Sequence, residues 1–211
     1  MNSMQYFDEV AHQWDRLRRT FFSESVREKA ISIASVQPGK LAADIGAGTG
    51  FVTEGLVQRG LRVIAVDHSE AMILEMKKKF GDIDAIDYRK GEAENLPIED
   101  ESVDYVFANM FLHHVESPPT AIKEMVRILK PGGMLVITDL DEHDFEFLKR
   151  EQSDRWMGFR REDVKRWFIE AGLKRVIVSC LGENCCAQSS RGDEYAKVGI
   201  FAASGEKTLG C

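Results

Sequence analysis

The sequence predicts an α/β fold in which helices cover both faces of a mostly parallel sheet. Two observations support this prediction. Short apolar runs alternate with stretches of helical periodicity between residues 41 and 138, which is typical of parallel βαβ units. The last two apolar runs, near residues 176–180 and 195–203, are joined by a loop alone, so these two strands must be antiparallel to each other.

The amino-terminal helices are predicted from apolar spacing and capping residues. Residues 4–22 carry apolar and aromatic side chains at helical spacing. Ser25 and Glu28 match a capping box, which predicts the start of a second helix that ends at Pro38.

From residue 41 onward, strands and helices alternate regularly, with glycines at the predicted stops. The predicted elements are strand 41–45, a glycine turn, helix 51–57, strand 62–66, a helix capped by Ser69 and ended by Gly81, strands 85–90 and 103–108, helix 120–130, strand 134–138 and helix 162–171. No repeat or linker divides the chain, so residues 1–211 are predicted to form one domain.

Composition narrows the class of protein. The chain has 211 residues, of which 44% are hydrophobic and 30% charged, as in ordinary globular proteins. No apolar run is long enough to span a membrane and the first residues do not resemble a signal peptide, so we expect a cytoplasmic protein. A formal charge of −7 disfavours nucleic acid as a partner, and the basic clusters Arg16, Arg18, Arg19 and Lys77 to Lys79 are interpreted as solvated helix faces. The four cysteines do not indicate a disulfide framework.

The stretch LAADIGAGTG at residues 41–50 predicts a ligand site. Gly46, Gly48 and Gly50 follow a buried strand and let the backbone approach a ligand closely. Their spacing is GxGxG, and Phe51 stands where the GxGxxG dinucleotide fingerprint requires its third glycine. Asp44 would repel a pyrophosphate but attract a cationic amine, which favours a ligand with an ammonium group.

Several blocks in order resemble the class I S-adenosylmethionine-dependent methyltransferases. They are DIGAGTG at 44–50, VIAVD ending at Asp67, GEAENLP at 91–97, the run 103–114 and LKPGGMLVITD at 129–139. The resemblance covers about residues 6–174 and is greatest to the methyltransferase type 11 group, which includes the ubiquinone and menaquinone biosynthesis methyltransferases. It implies a three-layer Rossmann-like sandwich with a seven-stranded sheet and an antiparallel last strand.

The resemblance also implies which residues hold S-adenosylmethionine. Asp67, about 20 residues beyond the first glycine, would take the ribose hydroxyls. Glu92 and Ala93 match the adenine position, where the family usually has Asp, and Asn109 matches the position facing the methionine part. The full set of predicted cofactor residues is Asp44, Gly46, Ala47, Gly48, Gly50, Asp67, His68, Met72, Glu92, Ala93 and Asn109.

The catalytic residues are not identified by the sequence. His113, His114 and His143 follow predicted strands and are candidates, because a histidine near neutral pKa is a natural general base. Methyl transfer from a sulfonium depends mainly on alignment and exclusion of water, so the absence of an obvious dyad does not argue against activity.

Two segments are candidates for the acceptor pocket. In the resembling family the segment before the first strand often forms a lid, here residues 1–36, so Tyr6, Phe7 and Trp14 are expected to line the acceptor side. Cys180, Cys185 and Cys186 belong to a predicted loop at residues 181–194 and its flank. Soft thiolates would suit a thiophilic metalloid such as arsenite, but adjacent cysteines lack zinc-site spacing and no metal site is predicted.

The resulting functional prediction is a methyltransferase that uses S-adenosylmethionine, releases S-adenosylhomocysteine and acts on a small-molecule acceptor. The alternatives are metalloid methylation at the cysteines, a non-catalytic binder of S-adenosylmethionine or metalloid, and a nicotinamide-dependent oxidoreductase, which Phe51 disfavours. The acceptor atom is left open, as is the choice between monomer and homodimer.

Overall fold

The computed structural model describes residues 3–81 and 83–208, so Cys211 and the first two residues of the predicted lid lie outside it. One sheet contains seven strands in the order β3-β2-β1-β4-β5-β7-β6. The strands are β1 Leu41–Ile45, β2 Arg62–Asp67, β3 Ile86–Lys90, β4 Val103–Asn109, β5 Leu129–Leu140, β6 Leu173–Gln188 and β7 Tyr195–Lys207.

Eight α-helices and two short 3₁₀ helices accompany these strands in the described part of the chain. The α-helices are α1 Ser3–Val10, α2 Trp14–Phe21, α3 Ser25–Ala34, α4 Phe51–Gln58, α5 Glu70–Phe80, α6 Pro118–Ile128, α7 Glu146–Glu151 and α8 Arg161–Glu170. The 3₁₀ helices are Ala11–Gln13 and Leu112–His114, and the second is called the HH turn below because it carries both histidines. Among the described residues, we find no helix whose length and apolar character would allow it to cross a membrane.

Strand pairing confirms the predicted topology. Strands β1 to β5 are parallel, while β7 runs antiparallel to both β5 and β6. From β1 the chain proceeds to β2 and β3 on one side of the sheet, and β4 and β5 then follow on the other side of β1. The strand order therefore reverses between β1 and β4. In an open α/β sheet, ligands bind at such a reversal, outside the carboxyl ends of the strands.

The three layers follow from the alternation of side chains along the strands. On one face, Ile64 and its neighbours pack with the buried residues of α6 and α8. On the other face, Val63 packs with α3 and α4, and Ala65 packs with α5 through Met76. Because consecutive strand residues point to opposite faces, the apolar run Val63 to Val66 of β2 is buried on both sides.

The predicted capping box at the start of α3 is wrong, although the helix is present. The Ser25 hydroxyl donates to Glu183 at 2.7 Å, and Glu28 pairs with Arg27 and Arg59. Glu24 is the N-cap residue and makes no side-chain capping hydrogen bond, while the Ser23 hydroxyl accepts the Ser25 N–H at 3.2 Å. Ser25 and Glu28 therefore bond to other partners instead of forming the reciprocal pair that the pattern predicts.

The predicted loop at residues 181–194 is mostly strand. Strand β6 continues to Gln188, and the connection to β7 is reduced to residues 189–194. The pairing register shifts between Cys180 and Glu183, where Gly182 adopts a φ of 74°. This bulge interrupts the alternation of buried and exposed residues, which resumes with Cys185 and Ala187 buried.

Helix α7 was absent from the sequence prediction. It has six residues, and among them only Phe147 and Leu148 are buried. So short a segment shows no measurable helical periodicity, and its position is set by packing on Leu140 and the second half of β6.

Gly158 holds a turn against the end of β5, and we expect its replacement to be costly. Gly158 has a φ of 67°, and a Cβ there would overlap the carbonyl of Asp141. Gly158→Ala should lower the free energy of unfolding by about 3 kcal/mol, because a left-handed conformation and a backbone clash both penalise alanine. Urea denaturation monitored by circular dichroism measures the change.

The matched control is Gly172→Ala. Gly172 has a φ of 92°, but no atom lies within 4 Å of the added Cβ. Only conformational strain applies there, so a loss of about 1 kcal/mol is expected. Equal losses for the two variants would show that the contact with Asp141 does not matter.

Candidate functional site

The glycine turn after β1 has the conformation that its composition predicts. Gly46, Gly48 and Gly50 have φ values of 67°, 56° and 87°. At Gly46 a Cβ would also overlap the ring of Phe111, so the turn and that ring are in close contact. The turn therefore requires glycine for its backbone conformation and for its packing.

Two cavities that share lining residues open beside this turn. Both are lined by Gly46, Asp67, His68, Phe111 and His114. The structure brings most of the predicted cofactor residues to these walls. Asp44, Ala47, Gly48, Met72 and Asn109 line the first cavity only, and Glu92 and Ala93 line the second only.

Gly50 lines neither cavity. A Cβ at this position would overlap the ring of Phe80, so the residue is needed where α4 begins close to α5. Met72, one of the predicted cofactor residues, lies in the first cavity, whereas Glu92 and Ala93 lie in the second.

Asp44 is a buried carboxyl group on the wall of the first cavity. Its Oδ2 atom accepts hydrogen bonds from the Thr53 backbone N–H at 2.8 Å and the Thr53 hydroxyl at 2.6 Å. Burial raises the pKa of Asp44 to about 6, even though the bonds from Thr53 lower it. The carboxyl group therefore anchors the first turn of α4 and also contributes negative charge to the cavity.

Asp67 occupies the end of β2 between two structural elements. Its Oδ2 accepts the Gly48 N–H at 2.8 Å, and its Oδ1 accepts the Ser69 N–H at 2.8 Å. Burial raises the pKa of Asp67, and these backbone bonds oppose the shift. Each carboxylate oxygen has a further lone pair, so Asp67 can accept hydrogen bonds from a ligand in either cavity.

Arg18 is a residue of this site that the sequence analysis missed. It was interpreted as part of a solvated face, but it is 4% exposed and lines the first cavity. Its guanidinium lies 4.0 Å from the Phe51 ring centre and bonds to Glu24 at 2.7 Å, while its Nε has no hydrogen-bond partner among the described residues. The available signal was its position on the apolar stripe of α2, four residues after Trp14.

The amino-terminal segment contributes side chains to the wall of the first cavity. Phe7 and Trp14 line the cavity and contact each other edge to face at 5.3 Å. Two carboxylates fasten the segment beside the glycine turn: Asp15 to the Thr49 hydroxyl and Asp8 to the Ser69 hydroxyl, each at 2.6 Å. The third predicted residue, Tyr6, lines a separate groove with Cys186.

The candidate histidines occupy different environments. His113 is buried, and its Nδ1 lies 2.6 Å from Asp139. Burial alone would lower the pKa of His113, but Asp139 and Asp154 raise it to about 9. Burial, followed by the charge of His113, keeps the pKa of His114 well below its ordinary value. Of the two, only His114 lines the cavities.

His143 and Asp154 complete the surroundings of this pair. Burial lowers the pKa of His143, which packs against Phe145 and lines neither cavity. Asp154 lies 3.7 Å from His113 Nε2, and burial raises its pKa to about 6 against the opposing effect of His113. A proton-accepting role for His143 is therefore not supported by its position.

The three cysteines do not form one site. Cys180 is exposed, Cys185 is buried in the apolar core and Cys186 borders the groove with Tyr6. Burial raises the pKa of the Cys185 thiol to about 12, so it is not a thiolate at neutral pH. Adjacent strand residues point to opposite faces, which separates Cys185 from Cys186 and leaves the metalloid hypothesis without a convergent set of thiols.

Comparison with known proteins gives consistent matches. Residues 43–137 match the family model described as a methyltransferase domain. The demethylmenaquinone methyltransferase of Staphylococcus epidermidis is 33% identical over 205 residues, which cover 82% of this chain and 85% of that protein. The biotin biosynthesis bifunctional protein BioHC of Cellvibrio japonicus is 31% identical over 180 residues, but the chain spans only 35% of its length.

A solved structure shows the same fold. The methyltransferase in the complex with the Haloferax volcanii Trm112 methyltransferase activator superposes with a TM-score of 0.78 at 20% identity. The match covers 96% of this chain and 97% of that one.

We expect Asp139 to be essential for the local geometry of the HH turn. Its Oδ2 accepts the backbone N–H groups of Leu112 at 2.8 Å and Phe111 at 3.2 Å, and its Oδ1 lies 2.6 Å from His113 Nδ1. Asp139→Asn should lower the free energy of unfolding by about 3 kcal/mol, because one partner of a buried pair is lost. Chemical denaturation measures the loss.

Asp141→Asn is the matched control for this substitution. Asp141 pairs with Arg161 at 2.6 Å, but both side chains are about one-third exposed, at 27% and 34%. A loss of about 1 kcal/mol or less is expected there. If Asp139→Asn cost no more than this control, the HH turn would not depend on its carboxylate.

Proposed function

Because the chain belongs to the class I S-adenosylmethionine-dependent methyltransferases, we propose that it methylates a small acceptor that is flat and largely apolar, such as a quinol. The observation that carries this proposal is the aromatic wall of the first cavity, to which Phe7, Trp14 and Phe111 contribute. The Staphylococcus epidermidis relative is named for a quinone substrate, which supports the same acceptor class here.

The charges of the first cavity suit the amino-acid end of S-adenosylmethionine. We assign Asp44 to the ammonium group and Arg18 to the carboxylate. Arg18 has an unpartnered, buried Nε–H, which is costly unless a ligand accepts from it. Both residues line the cavity at the glycine turn, where the absence of side chains lets a ligand approach the backbone.

The second cavity suits the nucleoside end. We assign Asp67, which lines both cavities, to the ribose hydroxyls, and Glu92 with Ala93 to the adenine. A carboxylate is a strong acceptor for paired hydroxyl groups. The cofactor would thus extend from Asp44 to Glu92 across the residues that the two cavities share.

When bound, S-adenosylmethionine supplies a methyl group on a positively charged sulfur. Under this proposal the lid residues Phe7 and Trp14 orient the acceptor and exclude water. Asn109 accepts a hydrogen bond from the Thr138 hydroxyl at 2.7 Å, which fixes the orientation of its amide in the same cavity. We assign no general base, since alignment is the main requirement of this reaction.

We expect cofactor affinity to depend on Asp67 and Arg18. Asp67→Ala and Arg18→Gln should each weaken binding of S-adenosylhomocysteine at least tenfold, about 1.4 kcal/mol, because each loses a charged hydrogen-bonding group of the cavity. Isothermal titration calorimetry measures the affinity. Arg19→Gln, a change at the neighbouring exposed arginine, is the control and should bind normally. Unchanged affinity in Asp67→Ala would remove this residue from the site.

Acceptor class is tested by release of S-adenosylhomocysteine over a panel of quinols, phenols, carboxylates, amines and arsenite with a thiol. Turnover should be highest with quinols. Phe7→Leu should raise the acceptor KM by at least about tenfold, since an aromatic contact of the wall is lost. Tyr195→Leu removes a 61% exposed aromatic residue outside both cavities and should have no effect. A preference for amines would contradict the proposed acceptor class.

A further inference from the structure

The HH turn and Asp154 bring three possible metal ligands together. One ligand atom from each of His113, His114 and Asp154 lies within 4.8 Å of the other two. Asp154 Oδ1 is 3.7 Å from His113 Nε2 and 3.9 Å from His114 Nδ1. We propose that these three residues bind a divalent transition-metal ion of the Zn²⁺ class.

Burial makes the present arrangement unfavourable without a ligand. The three side chains are 6%, 8% and 3% exposed, in the order His113, His114 and Asp154. His114 Nδ1 and Asp154 Oδ1 have no hydrogen-bond partner among the described residues. Each unsatisfied buried polar atom costs about 1–3 kcal/mol, and one ion would satisfy both.

The separations fit a metal better than direct hydrogen bonds. At 3.7 and 3.9 Å the atoms are too far apart to share a hydrogen. A metal bonded at about 2.1 Å to two tetrahedral ligands places those ligands about 3.4 Å apart. The two contacts of Asp154 would need to shorten by only a few tenths of an ångström, and the ligand nitrogens of His113 and His114 lie within 4.8 Å of each other.

His113 has the orienting contact expected of a metal ligand. Its Nδ1 lies 2.6 Å from Asp139 Oδ1, which leaves Nε2, 3.7 Å from Asp154, to bind the ion in place of a proton. Such a carboxylate contact on the remote nitrogen fixes the tautomer and the ring orientation. Asp154 is positioned by its own loop, since the N–H groups of Arg155 and Trp156 donate to the His113 carbonyl.

The ligand set indicates the type of ion. Two imidazole nitrogens and one carboxylate suit Zn²⁺ and related metals, whereas Mg²⁺ and Ca²⁺ prefer oxygen ligands. Three protein ligands leave a coordination position open, as in catalytic zinc sites. The inference is independent of methyl transfer, because it depends only on these side chains.

The test is a titration of the chelator-treated full-length protein with Zn²⁺ against a chromophoric indicator. One equivalent should bind, and Mg²⁺ should not compete. Asp154→Asn and His114→Gln should each weaken binding by at least about 100-fold, since even outer-shell partners of metal ligands contribute about 10–100-fold. Circular dichroism of each variant checks that it is folded.

His143→Gln is the matched control. His143 Nε2 is also buried and unpartnered, but this residue is not part of the cluster, so zinc affinity should be unchanged. The Co²⁺ form of the unmodified protein adds a readout that does not depend on any variant. Its absorption spectrum should show nitrogen and oxygen ligation without a thiolate charge-transfer band.

Three outcomes would overturn the proposal: no Zn²⁺ uptake by the unmodified protein, equal affinity in Asp154→Asn, or a thiolate band in the Co²⁺ spectrum. Absence of uptake would mean that a water molecule between Asp154 and His114 satisfies the cluster. A thiolate band would place the ion at Cys180 or Cys186.

Discussion

Asp139 stands at the end of β5 with no exposed surface, and its two oxygens accept four backbone N–H groups and face the ring of His113. Three of those N–H groups belong to the HH turn and the residue before it. The carboxylate therefore fixes Phe111 against Gly46 and directs His114 to the cavities. Phe111 and His114 line both cavities, so the position of two residues that the cavities share depends on the Asp139 carboxylate.

The site combines a rigid half and a covering half. The rigid half is the set of strand ends and turns, which are held by Asp44, Asp67 and Asp139 through backbone hydrogen bonds. The covering half is the amino-terminal segment, which is fastened by Asp8 and Asp15 to hydroxyl groups beside the glycine turn. Carboxylates at the carboxyl ends of the strands thus hold the turns in place and also give the cavity negative charge.

Much of the fold and part of the site could be predicted from the sequence. Strand and helix alternation predicts the parallel part of the sheet, and the glycine turn predicts where ligands approach. The apolar stripe of α2 marks the position of Arg18, but its place in the site could not be predicted, because burial of a cation there depends on Glu24 and Phe51 in the folded chain. The role of Asp154 could not be predicted from local patterns either, since about 40 residues separate it from the histidines that it faces.

Strand β6 consists of two halves joined by the register shift between Cys180 and Glu183. The first half, which carries another register shift between Lys174 and Ile177, pairs with the part of β7 that lies beside β5, while the second half extends beyond it and borders the groove with Tyr6. Because the bulge absorbs the slip, residues can be gained or lost in the outer hairpin without moving the strands that hold the glycine turn. Evolution can therefore reshape this outer rim while the inner sheet stays constant.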